Sequence, residues 1–209
     1  MKLFIITSSK EVPDETTLIT KMFESGLTNL HIRKPKLSTN QMSEYINEIP
    51  AHFHKYIVIH SHHKLALKYN LKGIHLTSTH LSKRWKYFFV RLRLKFKFEK
   101  ISKSRSYSKL QQAYNKEEYV FDYILMGTMF NSFTGEFYSG YYDAGVRAAL
   151  KNSGKRFVAR GGTTPSVVGK ASELGFYGLA FNSYIWDHPS PYENFTKILG
   201  AYKECNLEI

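Results

Sequence analysis

Two glycines just ahead of a helix start are the strongest chemical signal in the sequence. Phe157–Gly162 (FVARGG) runs into Thr163-Thr164-Pro165, where Thr164 suits a helix cap and Pro165 a first helical turn. Backbone N–H groups at Gly161 and Gly162 could close on an anion, with the positive end of the helix dipole behind them. Asn182 and Ser183, further along, could add amides and a hydroxyl to the same cradle. Two turn glycines before an ordinary helix would look the same. Arg33 offers a guanidinium that can grip a phosphate bidentately, and a solvent ion pair is the plainer alternative. His31 lies two residues earlier and shares its face if the segment is a strand. His60, His62 and His63, with His75 and His80, could gather imidazoles for a transition metal. No carboxylate accompanies them and such a string also suits a surface, so no metal ligand is assigned. Gly127–Gly135 (GTMFNSFTG) is rich in hydroxyl, amide and glycine and reads as a mobile ligand-covering loop or a plain surface loop. No nucleophile–base triad and no Walker-type loop is present.

Positioning these groups requires a repeating frame, and one is visible. Strand-like runs alternate with helix-like stretches: strands at Met1–Ser8, Asn29–Lys34, Tyr56–His60 and Gly73–Leu76, with helices around Asp14–Ser25, from Ser38 to about Phe53, and near His63–Asn70. The basic run that follows reads as a helix to about Phe96 and then a fifth strand near Phe98–Ser104. A helix around Ser108–Lys116 and a strand at Asp122–Met129 come next. A helix near Tyr142–Asn152, the strand Arg156–Gly161, a helix Thr164–Leu174, the strand Gly178–Asn182 and a helix near Pro191–Glu204 complete the series. Alternation of this kind implies a parallel sheet. Eight units predict an α/β fold, a closed (β/α)8 TIM barrel near its smallest size, in one domain spanning 1–209, with chemistry where strands end and βα loops begin. An open doubly wound sheet of eight such units would be unusually wide. On this frame the glycine pair and Asn182-Ser183 follow strands seven and eight, a common phosphate site of the fold. Ser104 ends strand five, pointing into the same mouth.

Composition narrows the class. The chain has 209 residues, 43% of them hydrophobic, which is enough for a core. No apolar run approaches the ~20 residues that span a bilayer, and the opening MKLFIITSS is too short in its apolar part for a signal peptide. A lone Cys205 forms no internal disulfide. A cytoplasmic setting without membrane contact is therefore expected. Thirty Lys+Arg stand against 17 Asp+Glu, a net charge of +13. Residues 82–100 carry about half of that excess, as a solvated face or as a patch for polyanions. A nucleic-acid role is not favoured, and it would show as binding that collapses with salt.

Together these strand ends resemble the thiamine phosphate synthase family, including its TenI-type thiazole tautomerase relatives, in order along essentially the whole chain. Leu3–Thr7 looks like the opening strand, and Leu30–Arg33 is similar to the family's QLREK strand, with Arg33 retained. Ile57–Leu67 (IVIHSHHKLAL) resembles IINDRxDLAL, and Gly73–Leu76 resembles GVHL. Ser102–Ser106 corresponds to GxSxH with Ser104 retained, and Asp122–Thr134 (DYILMGTMFNSFT) resembles DYVGFGPIFPTPT. Ala159–Gly162 matches AIGG, and Gly175–Ile185 (GFYGLAFNSYI) resembles GADGVAVVSAI.

The resemblance implies joining an aminopyrimidine diphosphate to a thiazole phosphate with release of diphosphate, assisted by Mg²⁺. It implies Arg33 and Ser104 as catalytic residues, with Arg33 gripping diphosphate and Ser132 and Thr134 covering it. Gly161, Gly162, Asn182 and Ser183 would hold the thiazole phosphate, with His31 and His60 also lining the substrate site. A homodimer through outer helices is compatible. Departures are specific: the family's Asn-Asp pair is His60-Ser61 here, and its second metal carboxylate falls at His80. The lysine of QLREK is Pro35, the lysine closing the sixth loop is Gly135, and the tautomerase histidine falls at Ser106. Lys34 or Arg105 could offset diphosphate charge instead. A paralogue that binds thiazole phosphate or thiamine phosphate without turnover is the alternative.

Overall fold

The computed structural model describes residues 1–82, 101–117, 119–138 and 140–209. Eight parallel strands close a barrel in sequence order: β1 (Lys2–Ile6), β2 (Leu30–Ile32), β3 (Ile57–Ile59), β4 (Gly73–Leu76), β5 (Ser102–Tyr107), β6 (Tyr123–Met126), β7 (Phe157–Arg160) and β8 (Gly178–Phe181). The expected (β/α)8 barrel is the observed fold. Helices among the described residues are α1 (Glu15–Glu24), α2 (Thr39–Asn47), α3 (Lys64–Lys68), α4 (Ser78–Ser82), α5 (Asp143–Asn152), α6 (Val168–Leu174), α7 (Ser183–Trp186) and α8 (Pro191–Glu204).

Most strands are buried on both faces, which is why β1, β3, β6 and β8 read as near-continuous apolar runs rather than as alternating ones. Outward residues such as Leu3, Ile5, Ile32, Ile57, Phe157 and Leu179 join the apolar faces of the helices in the main core. Inward residues Phe4, Ile6, Tyr123, Leu125, Val158 and Ala180 form a second, smaller cluster that plugs the barrel. The longer helices contribute stripes at helical spacing, as Ile19, Met22 and Phe23 do on α1 and Val168, Ala171 and Leu174 do on α6.

Three boundaries differ from the sequence expectation, each for a local reason. Ser38 does cap α2: its Oγ accepts from the Gln41 N–H, and Gln41 Oε1 accepts from the Ser38 N–H. That helix ends at Asn47 rather than Phe53, because Pro50 disfavours helical backbone at the residue before it and lacks the N–H a helix needs. Ala51–Tyr56 is a 3-10 turn instead. The fifth strand runs over Ser102–Tyr107, later than Phe98–Ser104, because its inward positions are serines and carry no apolar signal. The expected basic helix and the patch at 82–100 lie, from residue 83 on, outside the described residues. The stretch expected as a helix at Ser108–Lys116 is a 3-10 turn at Leu110–Tyr114.

Candidate active site at the barrel mouth

Above the apolar plug the inward positions turn polar. Strand pairing sets His31 beside Val58, His75 beside Ser104 and Ser104 beside Tyr123, so these alternate side chains share the interior. His60 follows β3 directly, with its N–H bonded to the Ile32 carbonyl. Three imidazoles converge as a result. His31 Nδ1 lies 2.9 Å from His60 Nε2, and His31 Nε2 lies 2.7 Å from the Tyr123 hydroxyl. His60 stacks on His75 at 4.1 Å between ring centroids. His75 is held at both nitrogens, by Ser104 Oγ at 2.9 Å and Ser106 Oγ at 3.0 Å. His62 turns away: its Nε2–H donates to the Leu37 carbonyl at 2.9 Å. His63 packs its ring against His80 at 4.6 Å.

Burial dominates the electrostatics of this cluster. It pushes His31 down to about 3, with Lys72 adding to the effect. Burial also lowers His60 well below the usual histidine value, helped by His75, His31 and Arg33. His75 is lowered by burial, then by His31 and Arg160. All three are neutral imidazoles at pH 7, because a charged ring in this interior lacks the solvation that would stabilise it.

Cations at the mouth divide into engaged and unengaged. Lys34 is engaged: its Nζ lies 2.5 Å from Glu15 Oε2 and donates to the Lys10 carbonyl, in a pair with side chains only 8% and 4% exposed. Arg105 is engaged with Glu117 at 2.5 Å. Neither is therefore available to offset a diphosphate. Arg33 is exposed at the end of β2 and borders an open cleft of about 1080 Å³ between the loops after β1 and β2. Arg160 ends β7, half-buried, with its Nε buried and unpartnered. Burial and then the positive charge of Arg33 lower its pKa. Neither arginine has a carboxylate partner among the described residues.

The glycine turn is built to approach other backbone. Gly162 has φ +69°, and a Cβ there would stand 1.8 Å from the Phe130 carbonyl oxygen. The loop after β6 is zipped onto it: Met129 and Phe130 N–H groups donate to the Arg160 and Gly161 carbonyls. That loop folds into a small hairpin, with Phe130 stacked on Phe137 at 5.4 Å and a Phe130–Phe137 bridge. Its tip, with Ser132, Phe133 and Thr134, is exposed, while Met129, Phe130 and Phe137 are buried. Thr134 Oγ1 accepts from the Glu136 N–H, and the Ser132 amide lies beside Gly162. Asn182 follows β8, but its Nδ2 donates to the Ile6 and Thr7 carbonyls, so the side-chain amide braces β1. Ser183 opens α7.

Arg33, Ser104, His31, His60, Gly161, Gly162, Asn182 and Ser183 thus surround one mouth, and Ser132 reaches it through the hairpin; Thr134 stays on the outer tip. Sequence reasoning did not single out Arg160 or Tyr123, and it noted Ser106 only as the position where the tautomerase histidine is lost. Arg160 had a visible signal, standing where the resembled AIGG motif has isoleucine. A magnesium site does not fit. Neither the inward strand positions nor the first two residues after any strand include an aspartate or glutamate. Imidazole and guanidinium do not replace the oxygen ligands a hard cation needs.

The family model described as thiamine monophosphate synthase matches residues 3–185. A solved thiamine phosphate pyrophosphorylase from Bacteroides thetaiotaomicron is similar at 25% identity and TM-score 0.78, covering 97% of this chain and 98% of that one. A thiamine phosphate pyrophosphorylase from Pyrococcus furiosus shares the fold at 18% identity and TM-score 0.76, over 98% and 96% of the two chains. So does (S)-3-O-geranylgeranylglyceryl phosphate synthase from Thermoplasma acidophilum, solved with sn-glycerol-1-phosphate, at 15% identity and TM-score 0.68, over 97% and 93%. No curated protein matches the sequence. No helix among the described residues is long and apolar enough to cross a membrane. With a family match running from β1 into α7 on a closed eight-stranded barrel, the chain belongs to the thiamine monophosphate synthase family.

Proposed function

We propose that the chain joins an aminopyrimidine diphosphate to a thiazole phosphate and releases diphosphate, with the guanidiniums of Arg33 and Arg160 taking the charge that a hard metal would otherwise carry. The supporting observation is the mouth itself: two arginines close enough to influence each other, neither paired with a carboxylate, beside the Gly161–Gly162 turn. As the pyrimidine–diphosphate bond ionises, negative charge grows on the departing oxygens. Fixed donors already aimed at that charge lower the barrier without reorganising, and a planar guanidinium can hold two phosphate oxygens at once. The Gly161 and Gly162 amides, with those of Asn182 and Ser183, hold the thiazole phosphate. Ser132 borders the diphosphate from the hairpin, while Thr134 stays on its outer tip. His31, His60 and Ser104 line the floor beneath the reacting rings.

A second reading, a barrel that binds thiazole phosphate or thiamine phosphate in a regulatory role, is favoured by the absence of carboxylates at the strand ends. Turnover separates the two. Purified protein mixed with both substrates, with and without Mg²⁺, is assayed for thiamine phosphate. Product formed with Mg²⁺ omitted, and lost or strongly slowed in Arg160→Ile, supports the cationic mechanism. Product that strictly requires Mg²⁺ overturns the arginine role. No product at concentrations where thiazole phosphate binds leaves the binding reading.

A further inference from the structure

Three imidazoles from three adjacent strand ends meet with no acid among them, and this departure from hard-metal chemistry has its own coordination logic. One nitrogen each from His31, His60 and His75 lies within 4.8 Å of the others. Three nitrogens bound at ~2.0–2.1 Å to a tetrahedral ion stand about 3.4 Å apart, so closing the set takes side-chain rotation on strand ends whose backbone is already pinned by the barrel ladder. We propose that His31, His60 and His75 bind one divalent transition-metal ion of the zinc or cobalt(II) class, with a fourth position open toward the mouth for water or an anionic oxygen.

Several features support the site. Imidazole donors suit borderline d-block ions and disfavour Mg²⁺. The surroundings orient the rings as outer-sphere partners do in metal sites. Tyr123 holds His31 Nε2, which leaves Nδ1 facing His60. Ser104 and Ser106 hold the two sides of His75, so one serine yields its nitrogen to the ion while the other keeps the ring in place. The proton now shared by His31 and His60 moves to a ring nitrogen turned away from the ion, and both rings stay neutral. His31 and His75 are buried while His60 is half-buried, so the open position faces outward past His60, where Arg33 and Arg160 act on the cluster. Those cations repel a bare dication and favour an anion as its fourth ligand.

The test uses whole protein stripped with chelator and titrated with Co²⁺ and Zn²⁺, followed by calorimetry and by the visible d–d bands of four-coordinate cobalt. One ion per chain is expected, not displaced by millimolar Mg²⁺. His60→Asn, at the half-exposed ligand, is expected to weaken binding more than tenfold and to abolish the cobalt spectrum. His62→Asn, which lies outside the trio, is expected to leave both unchanged. No stoichiometric binding, binding insensitive to His60→Asn, or equal competition by Mg²⁺ overturns the proposal. Because no substrate enters this test, its outcome is separate from that of the turnover assay.

Discussion

Lys34 sits beside the arginine that the family resemblance makes catalytic, yet the structure makes it a buried structural partner, and replacing it separates the two roles. In Lys34→Met the Glu15 carboxylate keeps the Ser8 N–H and the Tyr45 hydroxyl but loses the only cation that reaches it among the described residues. Both side chains are more than nine-tenths buried, so the carboxylate is left charged in a poorly solvated place. Removing one partner of such a pair costs about 3–5 kcal/mol. For a chain of this size each kcal/mol lowers Tm by about 2–4 °C, so the expected fall is roughly 6–20 °C. The second change Glu15→Gln removes the stranded charge while keeping an acceptor for Tyr45, and the double variant is expected to recover at least half of the loss. Thermal and urea unfolding followed by circular dichroism measure these differences. Calorimetric titration with inorganic diphosphate is expected to give an unchanged affinity in Lys34→Met and a clear loss in Arg33→Ala. A Tm loss below about 2 °C, or a diphosphate defect in Lys34→Met as large as that of Arg33→Ala, would refute the buried-pair reasoning.

Other consequences follow from the same geometry. Gly162→Ala combines a left-handed backbone with a Cβ driven into the Phe130 carbonyl, and is expected to cost at least about 2 kcal/mol in urea unfolding and to displace the β6 hairpin. In chelator-treated protein, stability is expected to fall as pH drops below 6.5. The unfolded chain takes up a proton on His31 near its ordinary pKa, while the folded chain resists until about pH 3. At pH 5 this histidine alone accounts for about 2 kcal/mol lost relative to pH 7.5, read from the urea midpoint. Tyr123→Phe removes the group orienting His31 and is expected to weaken cobalt binding about tenfold, with the spectrum retained. Inorganic diphosphate is expected to tighten cobalt binding, and cobalt to tighten diphosphate by the same factor, since linkage is reciprocal; independent affinities would show that the anion does not reach the ion.

Much of this molecule is determined by sequence alone. Apolar runs alternating with helical stretches specify eight repeats and a parallel sheet, and eight such units suit a closed barrel where an open sheet would be unusually wide. Arg33 and the Gly161–Gly162 pair are legible because each follows the C-terminal end of a strand, and that end faces the mouth in this fold; Ser104, expected at the end of strand five, instead lies within β5, three residues before its last residue. Tertiary structure decided which polar groups meet there and which are already occupied. Nothing local distinguishes His60 from His62 and His63. Only the strand parity and register of three neighbouring strands bring His31, His60 and His75 together across distant stretches of chain and send His62 to the Leu37 carbonyl. Nor does composition separate one cation from another. Glu15 on α1 draws Lys34 into a buried pair and Glu117 claims Arg105, whereas no carboxylate among the described residues pairs with Arg160 at the end of β7. Asn182 is spent in the same way, bracing the end of β1. A side chain's chemistry is a property of its type, but its availability depends on the partners that folding places within reach, and those partners come from elsewhere in the sequence.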